Sequence, residues 1–97
     1  MTNSNNPYHQ IVVVPVAGTP VQPTSVSVPD GEIACFRAHP DNTGVIYLGY
    51  SSDSCLAATG VPYAANQIET YQVKDISKVW CNSAVNGEKV IVTFARN

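Results

Sequence analysis

Apolar and polar positions alternate along this chain in short runs. Nowhere do apolar residues recur at i, i+3 and i+4 for long enough to make a helix. Residues 9–16, HQIVVVPV, have the β-branched density of a strand, with Pro15 moving it towards a sheet edge or a bend. Residues 21–28, VQPTSVSV, end by alternating Val26 and Val28 with Ser25 and Ser27, as a half-buried strand does. After the turn Pro29-Asp30-Gly31, residues 32–39 place Ala34, Phe36 and Ala38 on one face and Ile33, Cys35 and Arg37 on the other. Residues 45–50, 67–73, 78–84 and 89–95 extend the series, so the pattern predicts seven strands.

The connections carry turn chemistry. Residues 40–44, PDNTG, read as a chain reversal, because Asp and Asn side chains build backbone turns and Gly accepts positive φ. Residues 51–65 read as a long loop of small residues, and 74–77 as one short helical turn. Asn86-Gly87, flanked by apolar residues, is the strongest hairpin signal present. Short strands at roughly 8–12-residue spacing predict an all-β fold: a single small β-sandwich or barrel of antiparallel strands over residues 9–97. The polar residues 1–8 are expected to form a flexible N-terminal arm.

Composition changes this picture in one respect. Charged residues make up 12% of the 97 positions, against a typical ~25%. A chain so poor in charge is expected to hide part of its surface against other subunits. Residues 45–50 and 89–95 are apolar on both faces, where antiparallel strands commonly leave one face wet. A homo-oligomer, dimer or trimer, is therefore expected. The net charge of −2 includes five Lys and Arg and no basic stripe, so nucleic acid is not an expected partner. No apolar run approaches the roughly 20 residues of a helical membrane span, and MTNSNNPYHQ lacks the basic region and apolar core of a secretion signal. No membrane association is expected.

Candidate chemistry is weak at each position that offers it. Asp41, Thr43 and Asp53 are too few oxygens for a calcium loop, which takes six to eight ligands, and the turn reading is preferred. Cys35 and His39 lie some 13 Å apart along a strand at about 3.3 Å per residue, too far to share one zinc. Neither His9 nor His39 lies in a motif that would orient it as a catalytic base, and there is no Gly-rich phosphate loop. Neither an enzymatic activity nor a cofactor is expected. Cys35, Cys55 and Cys81 are odd in number and without CxxC spacing, which suits reduced apolar fillers. A Cys35–Cys81 disulfide stays open for an oxidising medium. Trp80, Tyr47, Tyr50, Tyr63 and Tyr71 read as interface or core residues, with a sugar-stacking platform as the competing reading.

From residue 29 the order of features is familiar: HPDNTGVIYLG (39–49), then ATGVPYAANQIE (58–69), VKDISKVWCNSA (73–84) and NGEKVIV (86–92). This order is similar to small β-rich structural proteins of tailed-bacteriophage virions over residues 29–94. The resemblance implies a head decoration or cement role, assembly in the host cytoplasm, and the major capsid protein or another virion protein as partner. It carries no catalytic residue. In such a role a dimer or trimer clamped across a symmetry axis adds many modest contacts. The arm of residues 1–8, with the run Ile11, Val12, Val13 and Val14 behind it, is expected to add a strand to a neighbouring sheet edge at the interface, with Tyr47, Tyr50 and Trp80 as aromatic contacts. The competing function is a carbohydrate-binding or host-attachment module, which requires Trp80 and at least two tyrosines in one exposed planar patch.

Overall fold

Seven strands lie in two antiparallel sheets. A computed structural model describes residues 8–96, with β1 (His9–Val14), β2 (Glu32–Ala38), β3 (Ile46–Gly49), β4 (Val61–Tyr63), β5 (Ile68–Tyr71), β6 (Trp80–Ser83) and β7 (Glu88–Arg96). One sheet has the order β1-β7-β2-β5 and the other β4-β3-β6. The fold is all-β and a two-layer sandwich. Alternation sends every second side chain into the space between the sheets. Val12, Val14, Ala34, Phe36, Ala38, Val90 and Val92 come from the larger sheet, and Ile46, Leu48 and Cys81 from the smaller. Ile76 and Val79 join this core from the connection before β6.

That connection holds the short helical turn expected near residues 74–77. A 3-10 turn runs over Ile76–Lys78, and the Asp75 carboxylate accepts the Ser77 N–H at 2.9 Å and the Ser25 hydroxyl at 2.6 Å. These donors, Ser25 first, hold the Asp75 carboxyl below its ordinary range, at about 2.

Three local expectations are corrected. Residues 21–28 form no strand, and their only ladder pairings are the isolated bridges Val21–Cys81 and Ser27–Asp75. Pro20 and Pro23 remove backbone donors there, and Thr24 binds the side chain of Gln10, donating to Oε1 at 2.8 Å. A strand appears instead inside the predicted loop, where β4 carries Pro62. Proline is tolerated because β4 is an edge strand paired only with β3. Finally, Asn86-Gly87 does not close a hairpin. Gly87 has the expected positive φ of 81°, yet the turn links β6 in one sheet to β7 in the other, and its N–H donates to the Val14 carbonyl at 2.8 Å. The local turn is as expected. What its flanks pair with is settled by the layers: β6 pairs with β3, and β7 with β1 and β2.

The arm expected over residues 1–8 lies outside the described residues except for Tyr8, whose ring stacks on Phe94 with centroids 4.7 Å apart. The run 11–14 belongs to β1, an edge strand of the larger sheet. It pairs through its length with β7, and Val12 and Val14 are buried in the core. The two-residue period that exposes Ile11 and Val13 turns the Val12 and Val14 side chains inward, so at an interface these two have only the backbone edge of β1 to offer.

Candidate functional site

The turn at residues 41–44 is built from the inside. Glu88, the first residue of β7, is buried, and its carboxylate accepts the Gly44 N–H at 2.6 Å and the Thr43 N–H at 3.3 Å. The Asn42 amide extends the pairing pattern of β7, donating to the Lys89 carbonyl at 2.8 Å and accepting the Lys89 N–H at 2.9 Å. Thr43 and Gly44 thus offer their amides to Glu88, and Asn42 is occupied by backbone. Asp53 lies beyond the far end of β3 from Asp41, so the two carboxylates do not converge. The turn does structural work.

The outer face of the smaller sheet is covered by its own chain. After β3, a 3-10 turn at Ser52–Cys55 folds back so closely that a Cβ on Gly49 would lie 2.6 Å from the Ser54 carbonyl oxygen. Cys55 is fully buried beneath this segment. Asn82, also buried, donates to the Cys55 carbonyl at 3.1 Å and accepts the Gly18 N–H at 3.0 Å. Tyr47 lies under the same cover, with the Gly60 backbone against its Cβ. The doubly apolar character of residues 45–50 is therefore met in part within the chain, while Tyr50 stays 63% exposed.

The larger sheet has no such cover among the described residues. Strand register aligns Ile11, Ile91, Arg37 and Ile68 in one row across its outer face, and His9, Thr93, Cys35 and Thr70 in the next. Val13 and Lys89 lie beside the first row. Ile11, Val13 and Ile68 are 46%, 44% and 55% exposed. Two of the five cations, Arg37 and Lys89, stand on this face, and none of the seven carboxylates occupies an outward position of its strands. Arg37 donates to the Asn66 side-chain oxygen at 2.9 Å, and among the described residues no carboxylate pairs with it. This face is the candidate site.

The aromatic residues are divided. Tyr50, 63% exposed, meets Tyr71 edge to face at 5.3 Å, and Tyr71 meets buried Phe36 the same way at 5.4 Å. Burial pushes the Tyr71 phenol well above the ordinary phenol range, with neighbouring Tyr63 and Glu69 adding to it. Trp80 stands opposite Gly49 on the other sheet and is half-buried. Tyr50 and Tyr71 meet at right angles and so do not share a plane.

Of the residues expected at an interface, Ile11 and Val13 reach the candidate face. Val12 and Val14 are in the core, Tyr47 and Trp80 belong to the smaller sheet, and Tyr50 follows β3 beside Tyr71. Ile91, Cys35, Arg37 and Ile68 were missed. Their alternation is visible in the sequence, but their alignment into a row depends on register. All three cysteines are free, and Cys35 points out of the larger sheet while Cys81 points into the core, so these two do not join. Compared with known proteins, the chain matches no family model, no curated protein and no solved structure.

Proposed function

We propose that this chain is a virion structural protein of the tailed-phage kind, a head decoration or cement subunit, and that it acts by docking rather than by catalysis. The observation that carries the docking role is the uncovered row Ile11–Ile91–Arg37–Ile68 on the larger sheet. The virion placement rests on the resemblance of residues 29–94 to phage structural proteins. Four strands at about 4.8 Å spacing and some six residues at about 3.3 Å make a face on the order of 400 Å², half the ~800 Å² that each partner contributes to a standard stable interface. A contact of this size is modest singly and effective when repeated over a lattice. That is the economy of a cement protein.

The test is quantitative mass spectrometry of gradient-purified particles from the source, giving copies of this chain relative to the major capsid protein. A ratio near one, or near one-third, is expected for lattice-wide binding. A dozen or fewer copies per particle would move the protein to the neck or tail, and its absence would overturn the virion assignment.

A further inference from the structure

The chemistry of the docking face restricts what can cover it. Arg37 stands in the middle of the apolar row, between Ile91 on β7 and Ile68 on β5, and Lys89 lies beside Val13. A second sheet laid over this row takes the Arg37 guanidinium out of water, and a desolvated cation without an anionic partner is strongly unfavourable. The face supplies no carboxylate of its own among its outward strand positions. Two copies packed face to face would bring Arg37 and Lys89 against their own like charges, so a two-fold contact through this face is disfavoured.

The complement exists elsewhere on the same chain. All seven carboxylates lie off the face, and one corner of the smaller sheet combines acid with exposed apolar surface. Val61, 57% exposed, pairs with Leu48 near the end of β3; Tyr50 follows that strand; and exposed Asp53 stands in the next turn, where Thr59 donates to its carbonyl. This corner belongs to the smaller sheet, with the Tyr50 ring reaching across to Tyr71 on β5 at the edge of the larger one.

We propose that the occupant of the docking face is a second copy of this chain, bound head to tail, with the Tyr50–Asp53–Val61 corner of one protomer on the Ile11–Ile91–Arg37–Ile68 row of the next. The inference rests on the reading of that row as a docking face. Contacts of this kind are heterologous and close into rings when the rotation allows. Each protomer then uses both surfaces, and the cation of one receives the acid of its neighbour.

Sedimentation velocity on the purified chain, up to millimolar concentration and at low and high salt, reads the association. The wild type is expected to self-associate weakly and less at high salt. Arg37→Glu and, separately, Asp53→Lys with Val61→Lys should each weaken association by roughly tenfold or more, through like charge at the contact. Mixing the two variants is the decisive step. Each retains one intact surface, so a one-to-one heterodimer should return at wild-type affinity, which also shows that both variants are folded. A wild type that stays monomeric throughout would overturn the head-to-tail contact. So would variants that fail to rescue each other while keeping the wild-type circular dichroism spectrum. A monomeric wild type that still binds particles, and loses them on Arg37→Glu, would leave the docking face standing with a different partner. Loss of neither activity would remove both.

Discussion

The carboxylate of Glu88 accepts the Gly44 N–H at 2.6 Å, so the residue that opens β7 also shapes the turn that leads into β3. Glu88 is 6% exposed, and without it two backbone donors lose their acceptor. Glu88→Ala should cost about 2–4 kcal/mol in urea unfolding, on the scale of charge-assisted hydrogen bonds and unsatisfied donors. Glu88→Gln, which keeps one carbonyl oxygen, should cost clearly less.

Gly49 is the point where the chain crosses its own sheet. A methyl group there would press on the Ser54 side chain and carbonyl. Gly49→Ala should destabilise by about 1–3 kcal/mol, as overpacking does, measured by thermal unfolding. A neutral result would contradict the close approach of the Ser52–Cys55 turn to Gly49.

Neighbouring valines should part company. Val14 is fully buried and Val13 is 44% exposed, so Val14→Ala should cost about 2–3 kcal/mol and Val13→Ala under about 0.5 kcal/mol in chemical denaturation. Val13→Asp should spare folding and weaken docking. Equal effects on stability would mean that the register of β1 is shifted by one residue.

Acid should erase one contribution selectively. The Asp75 carboxyl is depressed from 3.8 to about 2, with the Ser25 hydroxyl as the main cause. Folding thus favours its ionised form. The resulting stabilisation is complete above about pH 4 and is lost as the pH falls through about 2. Asp75→Asn should lower the thermal midpoint at neutral pH, with the difference from wild type shrinking towards zero near pH 2.

The thiols should react in two classes. Cys35 is half-exposed, whereas Cys55 and Cys81 are buried and burial pushes both thiols up. Iodoacetamide on the native protein should add one group, at Cys35, and three after denaturation, read by intact mass.

Strand alternation and turn chemistry were legible in the sequence because both are local. The inward set Ala34, Phe36 and Ala38 follows from the two-residue period alone, and the turn at 41–44 from its Asp, Asn and Gly. Its clamp, Glu88, lies 44 positions from Gly44 and carries no local sign. The docking row was hidden for the same reason: Ile11, Ile91, Arg37 and Ile68 become neighbours only through the pairings of β7 with β1 and β2, and of β2 with β5. Residues 21–28 misled because serine–valine alternation also suits an extended wall whose prolines prevent a ladder. Residues 61–63 were passed over because Pro62 marks a loop unless the strand is known to be an edge.

The position of β7 sets a condition on the birth of the molecule. It is the last strand in the chain and yet stands between β1 and β2, with β1 having no other strand beside it. The smaller sheet, β4-β3-β6, and the β2–β5 pair draw only on strands that precede β7, whereas β1 has no pairing partner until β7 is present. On a nascent polypeptide the larger sheet can therefore be completed only once residues 88–96 have emerged. Until then the valines of β1 lack the strand that pairs with them.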